Sequence, residues 1–93
     1  MKLLKIEPSP TKKLMAVFLM DTGRTKTIHF GQKGADDYTI TRDKAQRERY
    51  LNRHKAREDW DKPDSAGALS RWILWNGSSL TKNISDFKKK FNL

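Results

Sequence analysis

The chain of 93 residues contains no cysteine. It therefore has no disulfide, no thiolate metal site and no thiol redox chemistry. It also has no apolar stretch near the roughly 18 residues of a membrane span, and the opening MKLLKIEPSP meets Pro8 too early for a secretory signal. A soluble protein that is not secreted is expected. Acids are scarce, with 11 Asp+Glu against 20 Lys+Arg, a formal net charge of +9. That balance favours nucleic acid, acidic protein or an anionic membrane surface as partner, and does not choose among them. Internal repeats and low-complexity tracts are absent, and the length suits one domain, residues 1–93, around a single modest core.

What is present divides into three stretches: strands and a hairpin over 2–30, a loop over 31–40, and three helices over 41–93. Lys2 to Glu7 reads as a short edge strand ended by Pro8 and Pro10. Leu14 to Met20 is a continuous apolar run, as expected of a strand buried on both faces. Asp21-Thr22-Gly23-Arg24 supplies turn chemistry, and Thr25 to Phe30 resumes a period of two that turns Ile28 and Phe30 to the core. In the loop, Thr39 or Thr41 can cap a following helix. Pro63 ends that helix, Ser65 or Asp64 caps a second one over Ala66 to Trp75, and Asn76-Gly77 stops it as a site for positive φ. Ser79 opens the third, whose Leu80, Ile84, Phe87 and Phe91 form one apolar stripe. The predicted fold class is α+β, a small antiparallel sheet of two or three strands followed by three helices packed on one face.

The strongest functional signal is the segment Thr41 to Arg57, with seven Lys or Arg residues against two acids. Arg42, Gln46, Arg49, Arg53 and Arg57 recur at i, i+4, i+7, i+11 and i+15, so a helix places them on one cationic face. Arg47, Tyr50, Leu51, His54 and Glu58 share the opposite side, where Tyr50 and Leu51 can dock on the core. A solvated face kept soluble by its charge has the same pattern. Lys33 projects from the loop beside this helix's start, Lys44 lies in its first turn, and Lys88, Lys89 and Lys90 close the third helix. Trp75 with Arg71 beside it could offer a stacking face to bases, whereas Trp72 packs at core spacing with Leu69 and Ile73. The candidate nucleic-acid-binding set is thus Lys33, Arg42, Lys44, Arg49, Arg53, Arg57, Arg71, Trp75 and Lys88 to Lys90. A membrane-surface role for the C-terminal lysines is less favoured, because the stripe beside them is better placed in the core.

Signals of catalysis or cofactor binding are weak. Gly31-Gln32-Lys33-Gly34 has the form of a KH clamp but follows a strand, and it lacks the ending of a P-loop, so it reads as a glycine turn. His54 and Glu58 stand one helical turn apart, a spacing that suits a structural hydrogen bond better than a two-ligand metal site. Asp36 and Asp37 read as a turn and cap rather than a Mg²⁺ pair. No catalytic residue, metal or cofactor is assigned, and a metal-dependent nuclease built on Asp36, Asp37, His54 and Glu58 is the distant enzymatic reading.

Several strings together, Phe30-Gly31, Gly34, Asp37-Tyr38-Thr39, Arg49-Tyr50, Arg53-His54, Glu58-Asp59-Trp60 and Ala66 through Asn76, resemble a family of short uncharacterised proteins of large double-stranded DNA viruses, the giant and algal viruses. The likeness runs from about Ala16 to the C-terminus, with Ser65 where threonine is expected. It implies a viral origin, and hence the host cell interior, nucleus or cytoplasm, with the virion as a further location. No functional residue carries over from it. The expected function is non-catalytic binding of DNA or RNA through phosphates with low sequence specificity. The alternative is a minor virion structural or capsid cement protein whose basic face meets acidic viral proteins. A small-molecule substrate is not expected.

Overall fold

The computed structural model describes residues 1–93. Three antiparallel strands, β1 (Lys2–Pro8), β2 (Leu14–Leu19) and β3 (Thr25–Phe30), form a meander with β2 central. Helices follow: α1 (Tyr38–Thr41), α2 (Lys44–His54), α3 (Ala66–Leu69), which runs directly into a π-helical turn at Ser70–Leu74, and α4 (Leu80–Lys90). This is the expected α+β class, with the helical half on one side of the sheet.

The register explains which face is buried. Leu3 pairs with Phe18, Ile6 with Ala16, and Ala16 in turn with Ile28, so these side chains share the inner face. A bulge between Leu3 and Lys5 makes that possible, since Leu3 and Ile6 are three apart and a regular strand would separate them. The extra residue, Leu4, is left exposed. Phe18, Phe30, Leu69, Ile73 and Phe87 are fully buried and form the centre of the core, each worth roughly 2–3 kcal/mol of burial.

Four sequence expectations need correction. The run Leu14 to Met20 was expected to be buried on both faces, but only Ala16 and Phe18 are buried, while Met15, Val17 and Leu19 stay half-buried on the outer face. The helices cover one face alone, and cross-strand neighbours such as Lys5 and Thr27 beside Val17 give the outer face its partial cover.

Second, the basic helix is shorter than expected, Lys44–His54, and a separate four-residue helix, Tyr38–Thr41, occupies the end of the stretch expected to be loop. Asp37 caps α1 by accepting from the Thr39 amide (2.8 Å), and Arg42 then takes a left-handed conformation (φ 54°). Asp43, not Thr39 or Thr41, caps α2, accepting from the amides of Ala45 (3.0 Å) and Gln46 (3.2 Å). A carboxylate at this position satisfies first-turn amides and complements the helix dipole, which favours a fresh start there.

Third, α3 begins at the expected Ser65 cap (3.2 Å to the Ala68 amide), but Gly77 does not end it through positive φ. Two side chains from other elements end it instead. Arg47 Nε donates to the carbonyls of Trp75 (2.9 Å) and Asn76 (2.8 Å), and Asn83 Nδ2 donates to those of Ile73 and Gly77 (both 2.8 Å). Fourth, α4 keeps its Ser79 cap and buries Phe87, but Leu80 is exposed, and Asn83 is buried in its place.

Candidate functional site

The β1–β2 turn, the loop after β3, α2 and the start of α3 surround an open groove of about 770 Å³. Its geometry begins at Lys13, whose amide donates to Gly31 O (3.0 Å) and whose ammonium pairs with Asp37 (2.6 Å) and donates to Ala35 O. This side chain ties the 31–37 loop to the sheet. Gly31 makes the close approach possible: a Cβ there would lie 2.8 Å from Leu74 Cδ1, and its φ of +80° is left-handed. The Gly31 to Gly34 segment is accordingly a glycine turn.

On the other wall, α2 sets Gln46, Arg49 and Arg53 along the groove, with Tyr50 and His54 beneath. Tyr50 is stacked on both sides, by Trp75 (4.2 Å between centroids, 5° between planes) and by His54 (4.2 Å, 26°). Burial, followed by the Glu58 charge, pushes the Tyr50 hydroxyl up to about 12, against smaller opposing effects of a hydrogen bond with Ser70 and of Arg53 and Arg71. His54 Nδ1 lies 2.9 Å from Glu58 Oε1, and Trp60 Nε1 donates to Glu58 Oε2 (3.0 Å). The i, i+4 pair is thus the structural hydrogen bond that its spacing suggested. Glu58 fits there because residue 67 is glycine, where a Cβ would stand 2.9 Å from Glu58 Oε2.

Four cations and three carboxylates line the groove. Asp37 is occupied by Lys13 and the α1 cap, and Glu58 by His54 and Trp60. Lys12, Arg49 and Arg53 take part in no ion pair within the molecule, and among the carboxylates only Asp36 is equally free. Three uncommitted cations therefore meet at one concavity from two walls. Although Asp36, Asp37, His54 and Glu58 all border the groove, no three metal-binding side chains converge.

The remaining candidates lie elsewhere. Arg42 leaves the cationic face because its backbone is left-handed between two helices, and Arg57 because α2 ends at His54; both are exposed. Lys33, Lys44, Lys88 and Lys89 are exposed and outside the groove lining. Lys90 lies over the Trp72 ring at 4.4 Å. Trp75 is buried with one face on Tyr50, so it cannot serve as an exposed base platform. Arg71 sits over the Trp72 ring (4.1 Å) and near that of Trp60 (5.3 Å), and burial, then the nearby Arg47 charge, pulls its pKa below the usual arginine range. It holds aromatic rings together rather than facing a ligand. Trp72, expected in the core, is half-buried within this cluster.

Sequence reasoning missed Lys12, Gln32 and His29 as groove residues. Each is unremarkable locally and gains its position only when the β1–β2 turn and the end of β3 with its loop fold beside α2.

Comparison with known proteins adds one match. The model of a family described as a family of unknown function, DUF5754, matches residues 3–54, a span holding both cationic walls of the groove and the strings from Phe30 to His54, but not the string from Ala66 to Asn76. No curated protein and no solved structure matches the chain.

Proposed function

We propose that this chain, which belongs to the DUF5754 family of unknown function, is a non-catalytic protein that binds nucleic acid through phosphates with low sequence specificity. The observation that carries the reading is the groove in which Lys12, Arg49 and Arg53 face a common space without internal acidic partners. Three cations without partners lower the potential energy of an anion there, and each phosphate bound releases condensed counterions. Lys33, Arg42 and Arg57 are exposed and extend the positive field beyond the groove. Sequence preference is low because the large aromatic rings near the site are buried and no base-reading motif accompanies the cations.

Fluorescence anisotropy with labelled oligonucleotides tests this reading. Replacing Arg49 and Arg53 together by glutamate should weaken binding by about a hundredfold or more at low salt, with the circular dichroism spectrum unchanged. Equal affinity in the double variant would remove α2 from the interface.

The resemblance to proteins of large DNA viruses supports a viral origin and a place inside the infected cell or in the virion. In that setting the outer face of the sheet favours a second reading. Met15, Val17 and Leu19 are only half-buried there and Leu4 is exposed, an apolar surface suited to static contact within a virion shell. Stoichiometric co-purification with capsid, without oligonucleotide binding, would favour this structural role.

A further inference from the structure

We infer that the groove takes an unpaired nucleic-acid strand rather than a duplex, an inference that rests on the proposed reading and narrows its ligand. A helix that reads duplex DNA must protrude, because it enters a major groove about 12 Å wide. The basic face of α2 does the opposite. Gln46, Arg49 and Arg53 turn toward the β1–β2 turn and the 31–37 loop, so that Lys12 shares the space in front of them. A ligand must enter the concavity to meet both walls. At about 770 Å³ the groove is of small-ligand size, within the roughly 300–1,000 Å³ typical of such pockets. A duplex, stiff over about 150 base pairs, touches the rim alone, whereas a flexible strand bends inward and places successive phosphates between the walls.

The rings define how such a strand lies. Tyr50 is covered on both faces by Trp75 and His54, and Phe30 is fully buried. Stacking surfaces are therefore confined to the half-buried His54 imidazole and to the arginine planes, since His29 pairs with Met15 and shares the outer face of the sheet. Phosphates go inward and bases outward, which gives binding with little sequence preference. His54 is held by Glu58 (2.9 Å), so its ring is fixed before the strand arrives. An aromatic platform would add affinity through stacking, with only modest preferences among bases.

The test is anisotropy of a labelled strand of about twelve nucleotides, and of the same sequence as a blunt duplex, across a salt series. The proteins are the full chain, Lys12→Glu and Arg49→Glu on the two groove walls, and Arg24→Glu on the β2–β3 turn at the opposite end of the sheet. The strand should bind about tenfold or more tightly than the duplex, with a log–log salt slope near −2 for about three phosphates. Lys12→Glu should weaken strand binding as much as Arg49→Glu, and Arg24→Glu should change it by less than about twofold. Equal or tighter duplex binding, or a Lys12→Glu protein no weaker than Arg24→Glu, overturns the inference and leaves phosphate binding by α2 standing. If neither oligonucleotide binds even at low salt, both readings fall.

Discussion

Asn83 places three hydrogen bonds on one buried carboxamide: two donated to Ile73 O and Gly77 O, and one accepted from the Gly77 amide (3.0 Å). It is 1% exposed, so water cannot replace them. Asn83→Ala should destabilise the fold by about 3 kcal/mol, since buried backbone groups lose their partners along with the packing of the side chain. Urea unfolding checks this, and a loss below about 1 kcal/mol would mean that the turn finds other partners. Arg47 performs a related task from α2, where a reading by helical periodicity gives it only a position on the core side. Neither role is legible in sequence, because their partners lie 10 and 28 residues away. The caps at Ser65 and Ser79 were legible for the converse reason, as each serves an amide three residues on.

The most consequential local feature is the break at Arg42. One continuous helix from Thr41 would have run five polar side chains along one outward face. The capped restart at Asp43 leaves Gln46, Arg49 and Arg53 as a shorter row directed into the groove. Asp43→Ala should cost about 1 kcal/mol, whereas Asp43→Asn, which keeps a side-chain acceptor, should lose only a few tenths. Thermal or urea unfolding of the pair separates capping from general surface charge, because both variants remove the same negative charge. The period of the α2 pattern was readable, since it depends only on spacing. Its inward direction was not, because direction depends on where the β1–β2 turn and the 31–37 loop are anchored, and Lys13 anchors them through contacts 18 to 24 residues distant.

Tyr50 packs α2 against the end of the π-helical turn through Trp75, and its ionisation reports on that contact. Its folded pKa of about 12 lies above the usual tyrosine value of 10.0. Below pH 10 both folded and unfolded chains keep the proton, and its stabilising contribution is complete. Between about 10 and 12 the unfolded chain loses the proton first, so stability falls as pH rises. Tyr50→Phe should flatten that part of the pH–stability profile relative to the parent, as followed by urea midpoints over the alkaline range. Equal slopes would show that Tyr50 ionises alike in both states. Fold class, strand order and the apolar stripe of α4 were legible because they follow from periodicity and turns; the groove was not, as it is assembled from five separate stretches of chain. The Asn83 contact also bears on the chemical lifetime of the molecule. Asn76-Gly77 is the dipeptide most prone to succinimide formation and deamidation, in which the glycine amide nitrogen attacks the asparagine side chain. Here that nitrogen is committed to Asn83 and the Asn76 carboxamide to Arg71 (3.3 Å). Ageing at this bond therefore waits on the release of α4, and the rate at which new negative charge accumulates there becomes a slow clock of how often the fold opens.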